Sequence, residues 1–117
     1  METNSTPLKA ILTTACVGMG FRPKNILKNM LEDNDVDLHL SIKPEPTNAY
    51  NSKAIAVYHC DNHIGYIPDT DLDEAHRFLE FIDQVNVVSC TSFIEKAKLD
   101  EQGYPKWLQF GIEVEYI

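Results

Sequence analysis

The chain has 117 residues, which suits one small domain. Ten basic residues face eighteen acidic ones, and the formal net charge of -8 opposes long-range attraction to a polyanion and excludes tight non-specific nucleic-acid binding driven by the overall field. Hydrophobic residues at 44% are enough for a packed core, and no stretch approaches the roughly 18–20 consecutive apolar residues of a membrane helix, so no membrane partner is expected.

Residues 1–7 read as a flexible polar arm, and 8–117 as a single domain. Met1 to Lys9 lacks the apolar core of a signal peptide. Leu8 to Val17 is apolar and rich in β-branched residues and Ala, which predicts the first strand, broken by Gly18 and Gly20. Ile26, Leu27, Met30 and Leu31 predict a short helix over Pro23 to Leu31, and Asp33-Asn34-Asp35 is a turn cluster. Val36 to Ile42 alternates apolar and polar residues as a half-buried strand, with Pro44 and Pro46 expected to end it. Lys53 to His59 reads as the next strand, Asp61-Asn62 as a hairpin turn, and His63 to Ile67 as the returning strand.

Asp69 to Asp83 gives the strongest helical pattern, with Leu72, Ala75, Leu79 and Ile82 on one face and Phe78 alongside. Asp69, Thr70 or Asp71 is placed to cap its start. Val85 to Lys96 predicts a long strand, 98–106 a polar connection, and Trp107 to Ile117 a closing strand. No repeat or low-complexity tract interrupts this order. About six short, mostly sequential strands with one or two short helices predict a mainly β fold, a small closed or half-closed barrel. Cys16, Cys60 and Cys90 are odd in number and form no Cys-x-x-Cys pair, which points to free thiols in a reducing compartment and so to the cytoplasm.

The most informative stretch is Glu45-Pro46-Thr47-Asn48-Ala49-Tyr50-Asn51-Ser52-Lys53-Ala54-Ile55-Ala56-Val57, followed by Gly65-Tyr66-Ile67-Pro68 and preceded by Val17-Gly18-Met19-Gly20-Phe21. This three-part arrangement, from residue 17 to about 80, resembles the HIRAN domain. The resemblance implies a small six-stranded OB/SH3-like β-barrel and a non-enzymatic module that binds the exposed 3′ end of single-stranded DNA, as in DNA-repair helicases. It also implies site positions. Phe21 matches an aromatic that stacks on a terminal base, Asn48 and Tyr50 match residues that hold the terminal nucleotides, and Asn51 stands where an Asp normally accepts a bond from the 3′-hydroxyl. Tyr66 matches a His that helps hold phosphate, Asp69 falls where a Lys is usual, and Gly20 replaces a basic residue; Arg22, Lys24 and Lys28 are candidates to supply the missing charge.

Much of the motif is also structural: Ala54, Ile55 and Val57 read as core, and Gly65 as a close backbone approach. Phe21 and Tyr50 packing the barrel mouth is the plainer alternative, and Trp107 reads either as a further stacking residue or as core or rim. His59-Cys60-Asp61-Asn62-His63 has no recognised zinc spacing, and Asp69-x-Asp71-x-Asp73 lacks the glycine of a calcium loop, so no metal or other cofactor is expected. No nucleophile motif or phosphate-cradling Gly-rich loop supports an enzyme. Two further readings stay open. The acidic runs Glu32 to Asp37 and Asp69 to Glu74 would suit a protein-interaction module or inhibitor docking on a DNA-processing enzyme as a DNA mimic, and an exposed edge strand, the last one, would suit self-assembly.

Overall fold

The computed structural model describes residues 6–22 and 39–117, with the Phe21 side chain outside the description. Among these residues six strands and one α-helix follow in the order β1 (Leu8–Cys16), β2 (Leu40–Pro44), β3 (Ile55–His59), β4 (Asn62–Tyr66), α1 (Leu72–Ile82), β5 (Val87–Leu99) and β6 (Pro105–Tyr116). Short 3₁₀ turns occupy Met19–Phe21 and Asp69–Asp71. The fold is mainly β, as the sequence predicts. The expected helix over Pro23 to Leu31 and residues 36–38 of the expected second strand lie outside the described residues.

The strands form two antiparallel three-stranded sheets, β1-β6-β5 and β2-β3-β4. Among the described residues they meet along two seams, without a continuous ladder from one sheet to the other. At one seam Val17 N–H donates to Tyr66 O at 2.8 Å and Tyr66 N–H donates to Val17 O at 2.9 Å. At the other, Leu40 N–H donates to Ser92 Oγ at 2.8 Å. Alternation sets which faces meet inside. Leu12, Thr14 and Cys16 of β1 stand opposite Ile112, Phe110 and Leu108 of β6, and all six are buried. Ile55, Val57, Ile64 and Ile67 supply the facing side.

Helix α1 buries Leu72 and Ala75 and packs Phe78, Leu79 and Ile82 against this core, on the face that the sequence periodicity predicts. Its cap differs from expectation. Asp71 occupies the N-cap position but makes no side-chain cap bond. Its carboxylate accepts from Thr14 Oγ1 at 2.8 Å instead, because the buried Thr14 hydroxyl needs a partner and α1 crosses β1 there. Asp73 and Glu74 in the first turn suit the helix dipole.

Three strand boundaries also shift. β2 includes Pro44, which is tolerated because β2 is the edge of its sheet and the ring costs no ladder donor there. The tip of the β3–β4 hairpin moves back to Cys60-Asp61, with Cys60 in the left-handed region at φ 53°. The β5–β6 hairpin is longer than expected, and the polar connection shrinks to 100–104, where Asp100 Oδ1 accepts from the Gln102 and Tyr104 amides. Strand β6 lies at the centre of its sheet, between β1 and β5, so the expectation that the last strand offers a free edge for self-assembly is overturned. Among the described residues no helix is long and apolar enough to cross a membrane.

Candidate functional site

The segment between β2 and β3 folds into a tight loop because Asn48 can bond to its own neighbours. Its Oδ1 accepts from Tyr50 N–H at 2.9 Å and from Asn51 N–H at 3.1 Å, an Asx turn. Its Nδ2 donates to Glu45 Oε1 at 3.0 Å. Asn51 repeats the device one step on, with Oδ1 accepting from Lys53 N–H at 2.9 Å. The base of the loop is closed by Glu45 N–H to Ala54 O at 2.8 Å, and its far end is tied to α1 by His76 Nε2, which donates to Lys53 O at 2.8 Å.

The loop holds Tyr50 by its backbone N–H alone, and the residue stands 99% exposed. Beside it lies an open groove of about 320 Å³ lined by Asn48, Tyr50, Asn51, Ala54, Tyr66, Ile67 and Asp69. Four of the predicted site residues, Asn48, Tyr50, Asn51 and Tyr66, therefore share one groove, whose apolar floor includes the buried Ala54 and Ile67. Tyr50 does not pack the barrel mouth.

Tyr66 joins the groove to a polar cluster behind it. Its hydroxyl donates to Glu45 Oε1 at 2.9 Å, and the Arg22 guanidinium lies 5.8 Å from its ring centroid. His63 stacks on Tyr58 and meets Tyr66 edge-on, while its Nε2 donates to Gly65 O at 2.8 Å. The bond from Asn48, then those of Tyr66 and the charges of His63 and Arg22, hold the Glu45 carboxyl below its ordinary value. Burial, then Arg22, pushes His63 down, and burial, then Glu45, pushes the Tyr66 phenol up. Arg22 is half-buried in this cluster and does not line the groove.

The remaining expectations divide. Phe21 ends the 3₁₀ turn Met19–Phe21, which contacts β4, and Lys24 lies outside the described residues. Trp107 sits half-buried on β6 with Lys98 Nζ 5.2 Å from its ring centroid, and it is not among the groove residues. Glu45, quoted in the motif without a role, is the hub of the loop. Its signal was its spacing, three residues before the turn-forming Asn48. Among the described residues no group of three or more His, Cys, Asp or Glu side chains is arranged to hold a metal ion.

The HIRAN domain family model matches residues 11–115. The chain belongs to the HIRAN domain family. The match extends well past the 17-to-80 segment on which the resemblance rests, taking in most of β1 and the β5–β6 hairpin. Those strands carry no motif residue, which is why the motif alone does not reach them. HIRAN domains are associated with DNA binding, and the domain is a binding module, not a catalytic one by itself. A crystal structure of a protein from Lactobacillus plantarum shares the fold at a TM-score of 0.60, with 17% sequence identity, covering 93% of this chain and 99% of that one. No curated protein matches this sequence. In HIRAN terms, the groove beside the Glu45-to-Lys53 loop is where the motif's polar and aromatic residues converge.

Proposed function

We propose that this HIRAN protein is a non-enzymatic module that recognises the 3′ end of single-stranded DNA in the groove beside Tyr50, in the service of DNA repair. The observation that carries this reading is the convergence of Asn48, Tyr50, Asn51 and Tyr66 on one open groove, with a tyrosine ring standing 99% exposed at its rim. An aromatic ring held in water without an internal partner is a stacking platform, and base stacking on such rings is worth about 1–3 kcal/mol per base. Asn48 acts by shaping the loop, since both ends of its amide are already bonded. Phe21 would be the second ring, with Arg22 and Lys24 supplying positive charge near the strand.

Fluorescence anisotropy with a short labelled single strand tests this at low and moderate salt, comparing a free 3′-hydroxyl, a 3′-phosphate and a blunt duplex. A preference for the free single-stranded end, weakening as salt rises, is the expected result. Tyr50→Ala should lower that affinity about 5- to 150-fold with the fold intact, because its ring makes no structural contact that the fold needs. Unchanged affinity would remove Tyr50 from the site. The net charge of -8 favours one second reading, an acidic protein-interaction module docking on a DNA-processing enzyme. That reading gains if no DNA form binds even at low salt.

A further inference from the structure

The side-chain amide oxygens of the groove loop, and the Glu45 oxygen behind it, already accept bonds inside the protein. Asn48 Oδ1 takes two backbone N–H groups, Asn51 Oδ1 takes the Lys53 N–H, and Glu45 Oε1 takes both Asn48 Nδ2 and the Tyr66 hydroxyl. Asn51 therefore turns its NH₂ donors outward and keeps one spare lone pair on its oxygen. The one carboxylate among the residues lining the groove stands apart from this network. Asp69 is exposed, lines the groove together with Asn51 and Tyr66, and its carboxylate makes no hydrogen bond or ion pair among the described residues.

Its backbone is held in place. Asp69 follows Pro68 and opens the 3₁₀ turn Asp69–Asp71, its carbonyl accepts from Leu72 N–H, and two residues earlier Ile67 N–H donates to Ile55 O at 3.0 Å. We infer that Asp69, not Asn51, is the residue that selects a free 3′-hydroxyl and rejects a 3′-phosphate. This rests on the 3′-end reading above. A hydroxyl donating to a carboxylate makes a charge-assisted bond, about twice as strong as one to a neutral amide. A terminal phosphate brings about -1.5 to -2 charges and mostly acceptor oxygens at neutral pH, so the same carboxylate repels it. The charge that opposes phosphate elsewhere along a strand becomes an asset at the one position where the ligand ends in a donor.

The test uses the full chain and one labelled oligothymidylate in three versions, ending in 3′-hydroxyl, 3′-hydrogen and 3′-phosphate. The wild type should bind the hydroxyl form most tightly. Asp69→Asn should cut the preference for hydroxyl over hydrogen by about tenfold or more, the scale of a hydrogen bond to a charged group, and should raise binding of the phosphate form. Asp69→Ala should do the same, whereas Asn51→Ala, which removes the loop bond to the Lys53 amide, should weaken all three ends together and keep their ranking. A merely structural role for Asp69 would weaken all three equally, and that result overturns the inference. So does a ranking that survives Asp69→Asn and collapses in Asn51→Ala. A wild type that binds the three ends equally overturns the 3′-end reading itself, which separates the two failures.

Discussion

Gly65 lies in tight contact at one seam between the two sheets, and adding one carbon there should part them. A Cβ built on Gly65 would overlap the Val17 carbonyl oxygen, stand 2.5 Å from Cys16 Sγ and 3.3 Å from Met19 Cγ. Cys16 and Met19 are fully buried, so neither has room to retreat. The Val17 carbonyl is also the acceptor for Tyr66 N–H at 2.9 Å, half of the paired bonds that form the seam. Overpacking of this kind costs about 1–3 kcal/mol, and each lost backbone bond about 0.5–1.5 kcal/mol. Gly65→Ala should therefore destabilise the fold by about 2–5 kcal/mol, a large share of the roughly 5–15 kcal/mol typical of a domain.

Urea unfolding followed by far-UV circular dichroism measures it, and the midpoint should fall by roughly 1 M or more at unchanged slope. Gly20→Ala is the internal control. Among the described residues nothing lies within 4 Å of a Cβ at Gly20, and its φ is not positive. That change should be neutral or stabilising by up to about 1 kcal/mol through the unfolded chain. Equal midpoints for Gly65→Ala and wild type, with an unaltered exchange rate for the Tyr66 amide, would refute the argument that this glycine sets the seam.

Two titration and reactivity experiments follow from the same cluster. Glu45, held below its ordinary 4.5 chiefly by its Asn48 bond, contributes stability that is full above that value and lost as pH falls through its lower folded one. His63, held below 6.5 by burial, acts in the same direction, so acidification from 6.5 downward should loosen the loop progressively. Nuclear magnetic resonance of the His63 ring and the Asn48 side-chain amide reads this directly, and a His63 midpoint at or above 6.5 would contradict it. Burial pushes the Cys16 thiol up to about 12, whereas Cys60 and Cys90 are exposed. A thiol reagent should therefore label two cysteines in the native protein and the third only in denaturant. Labelling of all three without denaturant would show that the Cys16 environment opens in solution.

Sequence legibility varies with how local the deciding physics is. The core face of α1 was readable because Leu72, Ala75, Leu79 and Ile82 must share a stripe in any helix. The groove was readable as a set because Asn48, Tyr50 and Asn51 belong to one turn and Tyr66 lies on the strand beyond. The commitment of each polar atom was not. Nothing in the letters says that Asn51 spends its oxygen on Lys53, or that Asp71 leaves its cap for Thr14, since both depend on where backbone groups fall in space. Strand β5 was harder still. Its pairing with β6 shifts register at Val87/Ser89, Ile94/Lys96 and Lys98/Leu99, so no period of two survives along its length. The Phe93 ring lies over Gly111 of β6, a cross-strand contact that covers the glycine's bare backbone and that neither residue announces alone.

The pairing of β1 with β6, which sets Leu8 opposite Tyr116, has a kinetic consequence. The first strand's ladder partner is the last strand made, so during synthesis β1 must wait, unpaired and half apolar, until nearly the whole domain has emerged. Contacts so distant along the chain carry a loop-closure penalty before they return any stability, and they place such folds among the slow ones, in milliseconds to seconds. The β2-β3-β4 meander, whose partners are close in sequence, is free to form first and to offer Ile55, Val57 and Ile64 as a surface on which the other sheet assembles. Joining residues 8 and 116 by a short linker and opening the chain at the 100–104 turn would make the β1–β6 pairing local and hand the long-range closure to β5 and β6, so the folding rate of that permutant reports which of the two pairings limits assembly.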